Sequence, residues 1–411
     1  MLEKHVHAAT TRRRLRSGLA ANHVDNFAEW LHARDYKTRT VFRLLQSLAA
    51  WTDWLAVTGR SSSDFVSGYR DCSRYVQSTP HVLYSRGPNQ DTLRAVRLFL
   101  NFLIERGALS ENQLEAGSDR FPILREFRAW MLEHRGVTTT TLDVYKPVLE
   151  EFLDSLGEVP SEYSAENLRK FVSRRGARHG SSYAQLTGTA VRSFMRFLGA
   201  TGQSPSGLEH AIPPYAGWRQ ASVPRYLPKE DIRKVIAACP RTSIGLRDKS
   251  ILLLLARLGL RAGDIVRLRL SDIDWSGGQI SVSGKGRRQD LLPMPQDIGA
   301  CVLRYIGKGR PQSNVPELFL TCAAPFRRLS VQAVTGLVRR ALERAGVDSP
   351  VRGAYLLRHS AATSMLRQGV SLPSIGAVLR HRSPRTTVHY AKVDLRSLSA
   401  IAQPWPEVAQ C

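Results

Sequence analysis

At 411 residues with 43% apolar content, the chain is long enough for two or three separately cored domains. Its 59 lysines and arginines against 35 acidic residues give a formal charge of +24, and only ten of those cations are lysine. An arginine-dominated excess of that size points to a polyanionic partner, because the guanidinium fork matches phosphate oxygens. The five cysteines (Cys72, Cys239, Cys301, Cys322, Cys411) form no CxxC pair and no Cys/His cluster, which excludes a disulfide framework and a zinc site and suggests a reducing, cytoplasmic setting. No apolar run approaches the roughly 18 residues of a spanning helix, so no membrane partner is expected, and the N-terminus lacks the apolar core of an export signal.

Residues 1–19 are polar and basic (TRRRLRSG) and read as a mobile arm. From about residue 24 the spacing turns helical: Phe27, Trp30 and Leu31 fall at i, i+3, i+4, and Leu44, Leu45, Leu48, Trp51 and Leu55 continue it. The helical pattern runs through AVRLFLNFLIERG to Gly107. It then repeats. Phe127, Trp130 and Met131 lie 100 residues after Phe27, Trp30 and Leu31, and AVRSFMRFLGATG lies 95 residues after AVRLFLNFLIERG. Two matches in the same order at nearly one offset imply a duplicated all-helical unit, with one copy at 20–112 and the other at 120–212.

The proline-rich stretch that follows, SPSGLEHAIPPYAGWRQASVPRYLP, contains an interdomain linker at 213–226. Residues 227–411 form the last domain. It opens with a helix at LPKEDIRKVIAAC, followed by a buried helix, a turn at Gly259 to Gly263 and a second helix within LRDKSILLLLARLGLRAGDIVRLRL. The period then changes. A Gly277-Gly278 turn, a strand QISVS, a Gly-Lys-Gly turn and a strand around DLLPM predict a hairpin. After ELFLT the pattern is helical to Tyr390, and the last twenty residues read as a short helix and a proline-punctuated tail. The expected fold class is mainly α with a small β-sheet in the C-terminal half.

Metal-free cleavage of a phosphodiester needs a nucleophile, donors to the two non-bridging oxygens and an acid for the leaving 5′-oxygen. The C-terminal half has no HExxH, Walker loop, GxSxG or carboxylate pair. It does have Arg261 in GLRAGDI, Lys285 in GKG, Arg358 and His359 in YLLRHSAAT, and His381 nine positions before Tyr390. Singly, each has an ordinary reading: a surface arginine, a turn lysine, a helix-face cation, a surface histidine, a packed aromatic. Together and in this order they make a phosphate-handling set.

On those motifs, the half from about 225 to 400 resembles the catalytic domain of the tyrosine recombinase (phage integrase) family. GLRAGDI is similar to the family's first arginine box, GKG to its hairpin lysine, YLLRH to its H-x-x-R-H box, and LRH with a tyrosine nine residues on to its L-G-H and nucleophile. The resemblance implies that Arg261, Lys285, Arg358, His381 and the nucleophile Tyr390 are catalytic. It further implies transesterification through a 3′-phosphotyrosyl bond with no cofactor or metal, and two helical DNA-binding domains ahead of the catalytic one. The implied partner is double-stranded DNA. A homotetramer would form at synapsis, the free protein being a monomer or weak dimer, and accessory DNA-bending proteins or a partner recombinase fit the same scheme. The implied setting is the nucleoid, in service of a mobile element. Two positions depart from the pattern. Tyr355 stands where the family has its histidine, so it can donate to a phosphate oxygen but cannot act as a base near neutral pH. Arg380 replaces the glycine before His381 and adds a charge near the site. The rival readings are a type IB topoisomerase, which shares the constellation, and a DNA-binding regulator with a decayed site.

Overall fold

The computed structural model describes residues 3, 6, 9–78, 88–110, 120–213, 223–283, 289–381, 383–393 and 399. The chain divides into two compact units, residues 1–30 with 39–219, and residues 31–38 with 220–411. Among the described residues, no helix is long and apolar enough to cross a membrane.

Among the described residues, the first unit is built from helices. It begins with α1 (Ala9–Ser17), α2 (Ala21–His32), α3 (Thr38–Val57), α4 (Phe65–Ser78) and α5 (Gln90–Glu105). Residues 9–17 of the expected basic arm form helix α1. Leu15 and Thr11 of α1 are buried, Val6 ahead of it is buried as well, and Arg14 is ion-paired with Asp53 at 2.6 Å. The basic composition hid Leu15, which docks the helix together with the buried Thr11 one turn before it. Next come α6 (Pro122–Arg135), α7 (Thr139–Leu156), α8 (Ala165–His179) and α9 (Ser181–Ala200). The start and stop signals are local. Asn89 and Thr92 bond each other's backbone N–H at the start of α5, Pro122 opens α6, and Gly136 closes α6 in the left-handed region at φ 55°.

The same aromatic cluster is built twice. Phe27 meets Phe99 edge-on at 5.3 Å and Phe102 at 5.5 Å, while Phe127 meets Phe194 edge-on at 5.5 Å and Phe197 at 5.7 Å. Trp30 packs on Phe102 at 6.0 Å as Trp130 packs on Phe197 at 5.9 Å. A 3-10 turn lies between α3 and α4 at Ser62–Asp64, and another between α7 and α8 at Pro160–Glu162. The second set also takes in Leu208–Ala211, and Ile212 is buried in its core. Most of the expected linker at 213–226 lies outside the described residues.

The second unit is centred on α11 (Ser243–Arg257), which follows α10 (Lys229–Ala237) and has a fully apolar run from Ile251 to Leu255 buried on every side. A short helix α12 (Ala262–Arg267) leads into an antiparallel sheet of β1 (Ile273–Asp274), β2 (Gln279–Ser283) and β3 (Gln289–Pro293), in that order. Ile280 pairs with both Ile273 and Leu292, so one face of the sheet buries Ile273, Ile280, Val282 and Leu292 against the core. The helices α13 (Gln296–Lys308), α14 (Val331–Arg344) and α15 (Ala354–Arg367) complete that core, with α13 and α15 both lying against α11. Finally α16 (Leu372–Val378), α17 (Pro384–Val388) and a 3-10 turn at His389–Val393 form a separate small cluster. Leu366, Ile375, Leu379, Tyr390 and Val393 are buried together there.

Candidate active site

Two turns carry most of the site: Gly259–Arg261, ahead of α12, and Leu379–His381, after α16. The first needs its glycine. Gly259 has φ 59°, and a β-carbon there would run into the Leu379 side chain. Arg358, on α15, joins the two turns from behind. Its guanidinium is 1% exposed and donates from Nη1 to the Gly259 carbonyl and from Nη2 to the Leu379 carbonyl at 2.5 Å. Arg261 closes the gap from the other side, its Nη2 donating to the Arg380 carbonyl at 3.2 Å.

Asp264 underlies both turns. It is 3% exposed, accepts the backbone N–H of Arg261 at 2.9 Å through Oδ2, and pairs with the Arg380 guanidinium at 2.5 Å. Its other oxygen accepts from Arg267 at 3.1 Å. The charge that Arg380 brings in place of the expected glycine is thus met by a buried carboxylate. Arg380 itself sits at φ 55°, the left-handed region where glycine is the easy choice.

Tyr390 lies 1% exposed between two histidines. The His381 ring is parallel to it, 3° off with centroids 6.3 Å apart, and the His359 ring meets it edge-on at 5.4 Å. His381 is oriented by Thr387, whose hydroxyl is 2.7 Å from Nδ1 and which is itself buried. If the hydroxyl donates, Nδ1 is the acceptor and Nε2 carries the proton, which makes Nε2 the donor presented to an anion. Tyr355 is 54% exposed, one helical turn before His359, with their rings in edge contact at 4.2 Å.

The electrostatics follow from burial of many cations around few anions. Burial, then the neighbouring Arg261 charge, brings Arg358 down to about 10. Burial first and Arg358 and Arg261 next lower His381 to about 4, while burial, His389 and Arg358 lower His359 to about 4. Both imidazoles are therefore neutral at physiological pH. Burial, then Tyr355, pushes the Tyr390 phenol above its ordinary value, and the Arg358 and Arg261 charges oppose that rise.

The structure therefore brings Arg261, Arg358, His381 and Tyr390 together and sets Tyr355 beside them through His359. Lys285 lies outside the described residues. Asp264 and Thr387, which hold these groups, were not singled out from sequence. Asp264 does occupy the acidic position of GLRAGDI, a signal that was in view without its meaning. Among the described residues, no group of three or more histidine, cysteine, aspartate or glutamate side chains is placed to hold a metal ion.

The chain's similarities fall on one group of proteins. The sequence model of the phage integrase family matches residues 225–396. A Sinorhizobium fredii protein, y4rA, itself assigned by inference as an integrase/recombinase, is 34% identical over 402 residues, covering 96% of either chain. The tyrosine recombinase XerA of Pyrococcus furiosus is 28% identical over 251 residues, which is 61% of this chain and 82% of XerA. In fold, the chain is similar to the XerH site-specific recombinase bound to its palindromic difH substrate, with a TM-score of 0.53 and 16% identity over 88% of this chain and 97% of that one. It is also similar to a lambda integrase (residues 75–356) dimer bound to a core site, with a TM-score of 0.52 and 16% identity over 70% of this chain and 98% of that one.

Proposed function

This chain belongs to the tyrosine recombinase (phage integrase) family, and from that membership we propose that it is a site-specific recombinase that cleaves and rejoins double-stranded DNA for a mobile element. The observation that carries the reading is the convergence of Arg261, Arg358 and His381 on one buried tyrosine, Tyr390. In this reading Tyr390 Oη attacks the scissile phosphorus and the bond to the 5′-oxygen breaks, leaving a 3′-phosphotyrosyl link. The phenolic proton leaves to solvent past the neutral imidazoles beside it. Arg261 and Arg358 exchange their carbonyl acceptors for the non-bridging phosphate oxygens, and His381 Nε2–H adds a third donor. Lys285 protonates the leaving 5′-oxygen, and Tyr355 contributes a hydroxyl donor at the rim. The link conserves the energy of the broken bond, so a 5′-hydroxyl from a second duplex reverses the step without metal or nucleotide. Because Tyr390 is buried in the free chain, the small cluster around it must open on DNA.

The duplicated helical sets at 20–112 and 120–212 serve as DNA-binding domains, joined by a linker at 213–226 to a catalytic domain at 227–411. Four protomers form the synapse, and the free chain is a monomer or weak dimer. The positive charge makes duplex affinity fall steeply with salt.

The test uses the purified chain, chelator, and plasmids carrying the DNA that flanks its gene. Recombinant products together with an SDS-resistant protein–DNA adduct are expected. Relaxation of any supercoiled plasmid without strand exchange would make it a topoisomerase instead, and binding without any adduct would make it a regulator.

A further inference from the structure

We infer that Arg380 is a positioning residue of the reaction, joined to Asp264 in a buried pair that holds Arg261 and His381 in one register; this rests on the recombinase reading. Four observations converge. The pair is fully enclosed, with the two side chains 5% and 2% exposed. Arg380 keeps a side chain at φ 55°, where a β-carbon is strained and glycine is not, so the side chain must offset that strain. Its carbonyl accepts from Arg261 Nη2, while its guanidinium reaches the carboxylate that accepts the Arg261 backbone N–H. The arginine and its carboxylate thus close a ring around the Arg261 turn, with His381 the next residue in the chain. Lastly, the Arg380 Nε and Nη1 are buried with no partner among the described residues, so Asp264 is the guanidinium's one side-chain anchor there.

Without Asp264 the buried Arg380 guanidinium would lose its side-chain partner, whereas without Arg380 the carboxylate would keep Arg267 and the Arg261 N–H, so the arginine depends on the acid more than the acid on the arginine. Cationic charge alone does not explain the arrangement, since the carboxylate cancels it. What the pair supplies is geometry: it ties the turn that presents Arg261 to the turn that presents His381, in addition to the tie made by Arg358.

The experiment is single-turnover cleavage of a nicked duplex carrying the crossover site, with duplex affinity measured in parallel. The proteins are the full-length chain and its Arg380→Gly, Arg380→Lys, Asp264→Asn and Arg380→Gly/Asp264→Asn variants. Arg380→Gly is expected to bind duplex within twofold of the parent while forming adduct at least tenfold more slowly, and Arg380→Lys to recover part of that loss. Asp264→Asn is expected to cost less on top of Arg380→Gly than it costs alone. Cleavage by Arg380→Gly at the parental rate would overturn the inference, as would strictly additive losses. Should Arg380→Gly not fold, the lysine and asparagine variants decide: no loss in either overturns the inference. Absence of adduct from the parent chain would refute the recombinase reading itself and is distinguishable from all of these.

Discussion

Among the described residues before 213, the fully buried polar side chains other than aromatic ones are threonines: Thr11, Thr52, Thr92 and Thr187. Residues 223–393 bury Arg247, Asp248, Asp264 and Arg358 as well. The helical sets are held by aromatic packing that can be copied, and it was copied, cluster for cluster. The C-terminal unit accepts charge inside, where each ion needs a named partner and where geometry rather than area decides what the protein can do. The difference separates a part built for stability from a part that gives up stability for a site.

Substituting Arg358 gives the largest expected contrast. Arg358→Ala removes a phosphate donor pair, and cleavage should fall by roughly 10²–10³ or more. The Gly259 and Leu379 carbonyls also lose their donor. Each would cost about 1–3 kcal/mol if left unmet, offset in part by relief of the buried guanidinium's desolvation. Single-turnover cleavage and urea unfolding measure the two parts. The converse variant is Phe152→Ala, in the core of the second helical set against Tyr163, Phe171 and Phe194. It should lose about 3–5 kcal/mol of stability while the cleavage rate of the bound complex stays unchanged. A rate loss comparable to that of Arg358→Ala would break the division between the two regions.

The pH response should also belong to the C-terminal unit. His359 and His381 are held at about 4 in the folded chain, against an ordinary value of 6.5. Below pH 6.5 the unfolded chain takes up protons that the folded chain refuses, so stability should fall as pH drops from about 6.5 toward 4 and be full above that window. Urea midpoints from pH 7 to pH 5 measure it, and His359→Gln should flatten the slope. A midpoint that rises as the pH falls would contradict the burial of these rings. The smallest effect is expected at Thr387, whose contact orients His381. Thr387→Val should slow cleavage by about fivefold, the equivalent of about 1 kcal/mol for one hydrogen bond, and Thr387→Ser should restore it.

Much of this is legible in the sequence. The i, i+3, i+4 spacing of Phe27, Trp30 and Leu31 and its recurrence at Phe127, Trp130 and Met131 mark faces of helices, because helical periodicity is written locally. Alternation in QISVS and the glycines around it placed the hairpin in the same way. Arg261, Arg358, His381 and Tyr390 stood out through residue type and spacing. What sequence did not reveal is what depends on contacts distant along the chain. Asp264 lies 116 positions from Arg380, and nothing in GLRAGDI says that its acid would neutralise that arginine. The left-handed backbone at Arg380 was masked by a residue that rarely adopts it. Leu15, docked by helix α1, was hidden among arginines that suggested a free arm.

The central claim is that Tyr390 is the nucleophile, and one experiment addresses it directly. The full-length chain is incubated with a nicked duplex that traps cleavage, and any adduct is digested with protease and mapped by mass spectrometry. The account predicts DNA attached through a 3′-phosphate to the peptide containing Tyr390, with no adduct from Tyr390→Phe although that variant still binds duplex. An adduct that survives Tyr390→Phe, or maps to another residue, would contradict it.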